Sequence, residues 1–422
     1  MHVAFFNRSY YPDTTATGQL LTELCEALVR NYNCRVTVVA GAPLNPSIGT
    51  TRLSKGLLFS QEAHDGVAVL RARGTRYSKR RFIGRFSNYV SYFLSACWTG
   101  LSVDNPDIVV ALTDPPIIGL AAWLAAKRFR APFVMSYRDI FPEVVRLLED
   151  FQSPLVERIL QSVNCFLTQH ADRVISLGST MSRRLIEGKG ADPQRVLIIP
   201  DWADCQGITP GPKRNPFTEA HGLADRFVVM HSGNIGLSQA LETVVDAAAL
   251  LREHREIVVI FVGDGAKKPS LQQRVESLRL TNVMFLPYTP KQELAQSFAA
   301  ADLFLVSLRE GMAGYIVPSK LYGILAAGRP YVASAEEESE VVQITRRYEC
   351  GLTAPPGNAP AMAACILELY RDPEMRRRMG ENARAAALEF DRNAGVEKYY
   401  RLFQELELAS GYSKKAGSRE KR

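Results

Sequence analysis

The chain has 422 residues, of which 46% are hydrophobic and 23% charged, and its formal net charge is +7. This length favours two domains of roughly 200 residues each, and the hydrophobic fraction is sufficient for two cores. The seven cysteines are scattered without a CxxC pair, so the sequence predicts neither a disulfide framework nor a cysteine zinc site and favours a reducing compartment. The longest apolar run, near 117–126, is shorter than the ~18 residues that a membrane-spanning helix needs.

The net positive charge of the chain comes from two segments. Residues 66–103 hold seven basic residues and no acidic residue, and the tail from Gly411 holds five basic residues and one acidic residue. The rest of the chain therefore carries a net charge of −4. The N-terminus, MHVAFFNRSYYPD, has no charged leader and no cleavage site, so we expect no signal peptide.

Short apolar runs rich in β-branched residues alternate with helix-like stretches along the chain. Near-continuous runs of this kind are typical of strands buried on both faces, as in parallel sheets. Their alternation with helices predicts two doubly wound α/β domains with Rossmann-like parallel sheets. The predicted strands are 3–6, 36–40, 108–112, 133–137, 174–177 and 196–199 in the first half, and 227–231, 258–262, 283–286, 303–308 and 331–334 in the second.

The domain boundary is predicted at the Pro- and Gly-rich segment 204–215, which lacks periodicity. The predicted parts are an N-terminal domain (1–204), a C-terminal domain (205–393), a helix that packs back onto the first domain (394–410) and a disordered basic tail (411–422). Ligands of open α/β sheets bind outside the carboxyl ends of the strands. We therefore expect the site in a cleft between two facing domains.

Two strand-to-helix loops of the first domain carry polar residues. In the loop NRSYYPDTTATG, Gly18 would allow a phosphate or hydroxyl to approach the helix amides, and Thr17 offers a hydroxyl. The alternative is an ordinary helix start capped by Thr17 or Asp13. In YRDIFPE, Asp139 can bind hydroxyls or take a proton, and the alternative is a surface ion pair of small energetic effect.

Two glycine-rich turns follow predicted strands of the second domain. In MHSGNIGLSQALET the turn contains Gly233, Asn234 and Gly236 before a helix, an arrangement that cradles phosphates but that any strand-to-helix turn can also use. In VGDG, Gly263 would lie against a base or ribose, and the alternative is a tight turn with Asp264 as an Asx cap. Both turns are candidate nucleotide contacts.

The stretch LREGMAGYIVPSKLYGILAAGRP is the most informative of the chain. It places Glu310 in a glycine-rich turn after an apolar run, and it places Ser319 and Lys320 at the start of a helix rich in small residues. The acid can accept hydrogen bonds from hydroxyls, and the helix amides and the lysine can bind negative charge. This combination of polyol- and phosphate-binding groups suits a sugar nucleotide.

We call residues 66–103 the basic segment. Its bases are followed by aromatic residues at helical spacing, a pattern typical of an interfacial helix. Each base near an anionic surface contributes about 1 kcal/mol, so we expect this segment to bind the membrane or a lipid-linked acceptor. The alternatives are a stripe that packs into the first domain beneath solvated arginines, and nucleic-acid binding, for which no recognition module is present. The residues that carry this expectation are Arg80, Arg81, Phe82, Arg85 and Phe86.

No metal or nucleophile motif occurs in the sequence. It contains no DxD triplet, no HExxH and no cluster of histidines. It also contains no G-x-S-x-G or other nucleophile signature. We therefore expect neither a metal nor a cofactor.

Taken together, these motifs resemble retaining glycosyltransferases of the GT-B fold, in family 4 and in its branch that builds bacterial lipopolysaccharide, capsule and exopolysaccharide. The similar stretches, which cover nearly the whole chain, are YYPDTTATGQLLTEL, DIVVALTDPP, SYRDIFPE, ISLGSTMSRRLI, VLIIPDWAD, SGNIGLSQALETVVDAA and VPSKLYGILAAGRP. The resemblance implies transfer of a sugar from a nucleoside diphosphate donor, here a UDP-sugar, to a polyprenyl-diphosphate-linked saccharide, with retention at the anomeric carbon. It also implies a metal-free, cytoplasmic protein that is peripheral on the inner membrane.

The resemblance also assigns roles to single residues. Glu310, near the hydroxyls of the transferred sugar, and Asp139, beside the sugar or the acceptor, are the catalytic candidates. Lys320 is expected near the donor phosphates and Gly18 beneath them. The full set expected to bind the donor is Thr17, Gly18, Gly233, Asn234, Gly236, Gln239, Gly263, Tyr288, Arg309, Gly311, Met312, Ser319 and Lys320.

Three positions depart from the family pattern. The usual second glutamate, which holds the ribose, falls at Gly323, and the usual Arg and Lys on the diphosphate fall at Asn234 and Gln239. Charge neutralisation is then expected to depend on Lys320, Arg309 and helix amides. Two other functions stay open: a nucleotide-sugar 2-epimerase of the same architecture, and a non-catalytic membrane partner that anchors a transferase.

Overall fold

The computed structural model describes residues 1–13, 15–43, 51–55, 59–75, 82–147 and 153–419. The chain divides into two compact units. The first unit comprises Met1–Pro200 and Gly395–Arg422, and the second comprises Asp201–Ala394. The predicted boundary after Asp204 lies close to this division.

The first unit is built on a sheet of nine strands among the described residues, in the order β3-β4-β5-β2-β1-β6-β7-β8-β9. In chain order these are β1 (His2–Phe6), β2 (Arg35–Ala40), β3 (Thr51–Lys55), β4 (Phe59–His64), β5 (Val67–Ala72), β6 (Ile108–Ala111), β7 (Phe133–Ser136), β8 (Arg173–Ser176) and β9 (Val196–Ile198). Strands β5, β2, β1, β6, β7, β8 and β9 pair in parallel. Strand β4 pairs antiparallel with β3 and β5, so the sheet is mixed and not wholly parallel as predicted.

The helices of this sheet in chain order are α1 (Ala16–Tyr32), α2 (Phe82–Leu101), α3 (Ile118–Phe129), α4 (Glu143–Leu147), α5 (Pro154–His170) and α6 (Ser179–Lys189). Helix α1 shows how the sequence sets their limits. It begins after Thr15, whose side chain accepts a hydrogen bond from the Gly18 amide, and it ends at Asn33, which adopts the left-handed conformation. Leu21, Cys25 and Leu28 recur at helical spacing and are fully buried.

Strands β3, β4 and β5 lie in a region where no strand was predicted. Arg71 on β5 is buried and its Nε donates to Glu62 Oε2 on β4 at 3.0 Å. Its guanidinium also donates to the carbonyl oxygens of Gly41 and Tyr11. Because charges interrupt the apolar pattern of these strands, hydrophobic periodicity does not detect them. One of the seven bases of the basic segment is therefore a buried structural residue.

The second unit contains a six-stranded sheet within the described part of the chain, ordered β12-β11-β10-β13-β14-β15, with every pair parallel. Its strands are β10 (Phe227–Ser232), β11 (Ile257–Val262), β12 (Val283–Leu286), β13 (Leu303–Ser307), β14 (Tyr331–Ser334) and β15 (Gly351–Ala354). Its helices are α7 (Pro216–Ala220), α8 (Glu242–Leu250), α9 (Lys268–Ser277), α10 (Leu294–Ala300), α11 (Lys320–Ala326), α12 (Glu340–Tyr348), α13 (Ala359–Arg371) and α14 (Pro373–Glu389). Only β15 was not predicted.

The predicted boundary segment is attached to the second unit by two arginines. Arg384 donates to the carbonyl oxygens of Cys205 and Ile208, each at 3.0 Å. Arg329 donates to the Gly211 carbonyl oxygen at 2.8 Å. The Pro- and Gly-rich composition therefore marks an irregular strap of the second unit, and the division itself lies before Asp201.

The last helix, α15 (Arg392–Arg419), belongs to the first unit from Gly395 onward. Its Phe403 ring lies edge-on to Phe5 of β1, with 6.1 Å between centroids, and the Tyr399 hydroxyl lies 3.0 Å from Ser136 Oγ at the end of β7. Helical backbone extends to Arg419, beyond the predicted end at 410. Within the described residues, we find no helix with both the length and the apolar composition needed to span a membrane.

Candidate active site

Three turns meet at the carboxyl edge of the second sheet. The turn after β10 donates to the turn after β11, from the Gly233 amide to the Val262 carbonyl and from the Ile235 amide to the Asp264 carbonyl, each at 2.9 Å. The Arg309 amide, after β13, donates to the Ser238 carbonyl at 2.8 Å. The predicted donor-binding residues of the second domain therefore lie on connected loops at the functional edge of a parallel sheet.

Gly263 is required by the packing of two turns. Its φ is +146°, and a Cβ built there would lie 2.0 Å from the Gly233 carbonyl oxygen. The next residue, Asp264, accepts a hydrogen bond from the Gly265 amide through Oδ1 at 2.9 Å. The turn after β11 is therefore tight, and the predicted contact of Gly263 with a base or ribose stays a prediction.

The side chain of Lys320, the first residue of α11, lies at the same carboxyl edge of the second sheet. Its Nζ donates to His231 Nε2 at 3.1 Å, and a Cβ built at Gly233 would lie 3.7 Å from that Nζ. Burial lowers the pKa of Lys320 to about 7. Burial, reinforced by the neighbouring Lys320, also holds the pKa of His231 well below its usual range. Sequence reasoning missed His231, because a histidine at a strand end gives no signal by itself.

The turn after β13 displays Glu310. The Glu310 side chain is exposed, while Met312 is fully buried and its amide donates to the Arg309 carbonyl at 3.2 Å. Gly311 between them has φ +84°, which favours glycine. The Ala313 amide donates to Glu336 Oε2 at 3.1 Å. Met312 therefore anchors the turn from the core, and the carboxylate of Glu310 is presented to solvent.

The positions that replace the family's basic residues have different surroundings. Asn234 is exposed, whereas Gln239 is buried and accepts a hydrogen bond from the Gly236 amide through Oε1 at 3.5 Å. Gln239 thus holds the turn closed. Ser319 is half-buried, and its hydroxyl forms no capping hydrogen bond to α11 among the described residues.

Gly323 lies close to the aromatic ring of a residue on a neighbouring helix. A Cβ built at Gly323 would lie 3.1 Å from Phe298 Cε2 of α10 and 3.9 Å from Ile208 Cδ1. Phe298 is 5% exposed and its ring packs on Phe304 of β13. A side chain at position 323 would therefore crowd Phe298, which gives a steric reason for the absence of the usual glutamate.

Tyr288, after β12, offers an exposed aromatic surface at this edge. Its side chain is 55% exposed and its hydroxyl donates to the Asp264 carbonyl at 3.3 Å. That hydrogen bond fixes the ring beside the turn after β11. An exposed ring held in this way can stack on a base.

In the first unit, polar residues follow the neighbouring strands β1 and β6. Arg8 Nε donates to Asp114 Oδ1 at 3.2 Å, and Ser9 Oγ donates to Asp114 Oδ2 at 2.5 Å. The Arg8 amide donates to the Asp114 carbonyl at 2.6 Å. Asp114 was not singled out from the sequence, although it lies in the stretch DIVVALTDPP.

Asp139 follows β7, next to this network. It is half-buried, and its amide donates to Thr113 Oγ1 at 3.4 Å. Burial first, and repulsion from Asp114 second, raise the pKa of Asp139 to about 6 against the opposing charge of Arg138. The other acid of the motif, Glu143, pairs instead with Lys189 at 2.9 Å and is not part of this site.

The first loop places Gly18 in the first turn of α1. Its amide donates to Thr15 Oγ1 at 3.3 Å, so Thr15 is the cap and neither Thr17 nor Asp13 has that role. A Cβ at Gly18 would lie 2.9 Å from Thr15 Oγ1. Gly18 is thus required by the cap, and Thr17 remains half-buried beside it.

The predicted interfacial segment is only partly described. Arg80 and Arg81 lie outside the described residues; Phe82, Arg85 and Phe86 belong to α2, where the structure describes their backbone. Further along α2 the most exposed apolar side chains are Leu94 at 62%, Trp98 at 58% and Leu101 at 45%. We call these three residues the α2 apolar face.

One cluster in the described part of the chain has donors suited to a cation: Glu26, His64 and Asp65 of the first unit, with ligand atoms within 4.8 Å of one another. His64 Nε2 already bonds Glu26 Oε1 at 3.1 Å, and Tyr11 stacks on the His64 ring at 3.6 Å. These contacts account for the cluster without an ion.

Comparison with known proteins agrees with this architecture. The model of the glycosyl transferase 4-like domain matches residues 15–202, and that of glycosyl transferases group 1 matches residues 214–386. Pseudomonas aeruginosa WbjE, named as a glycosyltransferase, is 27% identical over 70% of this chain and 74% of its own. Escherichia coli K12 WcaI, named as a colanic acid biosynthesis glycosyl transferase, is 28% identical over 87% of this chain and 88% of its own.

Among solved structures, Anabaena HepE in complex with UDP has a TM-score of 0.71 at 17% identity, covering 96% of this chain and all of its own. The two doubly wound units and the loops at their strand ends thus define a glycosyltransferase of the GT-B fold. Within that class, the chain belongs to family 4. The predicted fold class and family are confirmed.

Proposed function

We propose that this glycosyltransferase moves a sugar from a UDP-sugar to a lipid-linked saccharide in surface polysaccharide biosynthesis, with retention at the anomeric carbon. The proposal of a nucleoside diphosphate donor rests on Lys320. Its ammonium lies against the Gly233 turn and, among the described residues, forms no ion pair with a carboxylate. The named role of WcaI in colanic acid biosynthesis supports the pathway. Structures of HepE with UDP and with UDP-glucose support the donor class.

The reaction requires the leaving diphosphate to be stabilised as the glycosidic bond breaks. Lys320 supplies a positive charge, and amides of the Gly236 turn supply hydrogen bonds to the phosphate oxygens. The acceptor oxygen forms its bond to the anomeric carbon on the face that the phosphate leaves, and the departing phosphate oxygen takes the acceptor proton. Glu310 accepts hydrogen bonds from hydroxyls of the transferred sugar.

Asp139 would serve the sugar or acceptor hydroxyls from the first unit. Burial and repulsion from the nearby Asp114 raise the pKa of its carboxyl, while Arg8 pairs with Asp114 and Arg138 lies beside Asp139, so the surroundings carry no net positive charge for a phosphate. A polyol fits this surrounding because each hydroxyl donates to a carboxylate oxygen. The residue therefore orients hydroxyl groups and does not bind the diphosphate.

The acceptor is proposed to be a lipid because α2 exposes an apolar face. Helix α2 packs against α3, where a Cβ at Gly100 would lie 3.7 Å from Ala125 Cβ. On α3, the residue before Ala125, Leu124, is 42% exposed, and Lys127 and Arg128 follow it. Apolar side chains flanked by bases are suited to the interface of an anionic membrane.

The first experiment measures nucleoside diphosphate release from UDP-, GDP- and dTDP-sugars, with and without bacterial lipid extract, for the wild type and Glu310→Gln. We expect release from a UDP-sugar that requires the lipid and falls about 100-fold or more in the variant. Conversion of the donor without any acceptor would instead identify an epimerase. Binding of a sugar nucleotide without turnover across the acceptors would favour the non-catalytic role.

A further inference from the structure

The second unit contains a buried histidine that no proposed step uses. His231 is 0% exposed at the end of β10, and its Nε2 receives the hydrogen bond from Lys320 Nζ at 3.1 Å. Its Nδ1 is buried without a partner among the described residues. Its ring packs on Phe261 of β11, with 5.8 Å between centroids.

The contact couples the tautomer of His231 to the protonation of Lys320. When Lys320 is protonated, its ammonium group has three donors and no acceptor, so His231 Nε2 then presents its lone pair and the proton of the neutral ring lies on Nδ1. Two groups lie within hydrogen-bond distance of His231 Nε2: Lys320 Nζ from α11 at 3.1 Å and the Asn234 carbonyl oxygen at 3.4 Å. The carbonyl oxygen accepts from Nε2 only when Lys320 is neutral and Nε2 carries the proton, and Phe261 from β11 packs beside the ring. No carboxylate of the described residues is among the groups that shift the pKa of His231.

We propose that His231 is a positioning residue that orients the Lys320 ammonium toward the Gly233 turn while leaving its charge available to the donor diphosphate. This inference rests on the proposed function. A carboxylate at the same place would fix the lysine equally well, but it would neutralise the ammonium and repel the phosphates. A neutral imidazole acceptor fixes direction without either effect.

The test is UDP binding by titration calorimetry with the full chain. His231→Leu removes the acceptor and should weaken UDP binding about tenfold, the loss expected for one hydrogen bond to a charged group. His231→Gln restores an acceptor oxygen and should remain within about threefold of the wild type. His254→Leu, a second-unit histidine that packs on Tyr370, is the matched control and should bind UDP like the wild type.

A double-mutant cycle separates positioning from a general structural effect. If His231 acts through Lys320, then His231→Leu adds no further loss to Lys320→Ala. Equal UDP affinity of His231→Leu and the wild type, or equal losses in the two backgrounds, would overturn the inference. A loss for Lys320→Ala with none for His231→Leu would overturn this inference and leave the proposed function intact.

The tautomer of His231 gives a readout that needs no variant. In ¹⁵N-histidine-labelled wild-type protein about one pH unit below the Lys320 pKa of about 7, where the lysine is protonated, we expect His231 to carry its proton on Nδ1. A proton on Nε2 would overturn the inference whether or not UDP binds. Failure of the wild type to bind UDP would instead overturn the proposed donor, and the tautomer would still decide the role of His231 toward Lys320.

Discussion

At the scale of single residues, Lys320 is the cation held against the Gly233 turn of the proposed donor site, and Lys268, whose Nζ donates to the Gly263 carbonyl oxygen at 3.2 Å, lies at the same edge. The Arg and Lys that the family resemblance places on the diphosphate fall here at an exposed Asn234 and at Gln239, which closes its own turn. A single ammonium in a desolvated position exerts a stronger electrostatic effect than the same group in water. Donor binding is therefore expected to depend strongly on the protonation of Lys320.

The first prediction concerns Lys320 and pH. Because the pKa of Lys320 is about 7 in the free protein, UDP binding above that pH requires uptake of a proton. We expect UDP affinity to fall as pH rises from 7 to 9, by up to about tenfold per pH unit, and Lys320→Ala to bind about 100-fold more weakly at pH 7 with a flat profile above it. Titration calorimetry measures both, with exposed Lys291→Ala as control. A flat wild-type profile would contradict this assignment.

The second prediction concerns Asp139. Since the pKa of Asp139 is raised to about 6, its carboxylate is lost as pH falls through that value. We expect the wild-type transfer rate at saturating donor to decline below about pH 6, and Asp139→Asn to reduce the rate about 100-fold and to lose that acid limb. Asp225→Asn, which changes an exposed acid, is the control. An unchanged acid limb in Asp139→Asn would assign the limb to another group.

At the scale of elements, the site depends on how closely neighbouring turns approach each other. The turns after β10 and β11 are joined by two backbone hydrogen bonds, and Gly263 leaves no space for a side chain. The sequence identified these turns from their glycines and left open whether the glycines serve a ligand or the turn itself. The requirement for Gly263 comes from the neighbouring turn, a contact that depends on strand order and is absent from local sequence.

The third prediction tests this packing. Gly263→Ala would place a methyl group 2.0 Å from the Gly233 carbonyl oxygen at φ +146°, so we expect a loss of about 3 kcal/mol in the free energy of unfolding. Gly222→Ala is the matched control: it also has a positive φ, +64°, and its Cβ would have no described atom within 4 Å. There we expect a loss of only about 1 kcal/mol. Urea titration measures both, and equal losses would show that backbone strain alone matters.

The fourth prediction concerns the α2 apolar face. Replacing Leu94 and Trp98 together by Glu should weaken binding to anionic liposomes about tenfold or more. Stability should change little because both side chains are exposed. Leu388→Glu, an equally exposed leucine on α14, is the control. Liposome sedimentation is the measurement, and undiminished binding of the double variant would remove α2 from the membrane contact.

At the scale of the whole molecule, the buried parallel strands were predictable from the sequence. The edge of the first sheet formed by β3, β4 and β5, where antiparallel pairs occur, was not. Every predicted strand overlaps a strand of the structure, because Val- and Ile-rich runs such as that of β11 are buried throughout. Strands β4 and β5 carry the buried Glu62–Arg71 pair, which periodicity reads as polar surface. Likewise Glu310 and Lys320 stand in a recognisable motif, whereas His231, Asp114 and Phe298 gain their roles from tertiary contacts.

The fifth prediction tests the contribution of α15 to the first unit. Phe403 is fully buried against Phe5 and Tyr399, so Phe403→Ala should reduce the free energy of unfolding by about 3–5 kcal/mol. Leu408→Ala on the same helix is 64% exposed and should have almost no effect. Both values come from urea titration of the full chain. A loss for Phe403→Ala as small as that for Leu408→Ala would mean that α15 contributes little to the hydrophobic core of the first unit.

The pairing of Gly323 with Phe298 constrains the order in which this sequence can change. A glutamate introduced at 323 alone would meet the Phe298 ring at about the distance now found for the built Cβ, 3.1 Å, while a small residue at 298 alone would leave a gap beside Phe304. Each single substitution is therefore expected to disturb packing, and a smaller residue at 298 would make room for a side chain at 323. The effects of substitutions at these two positions are thus expected to be coupled.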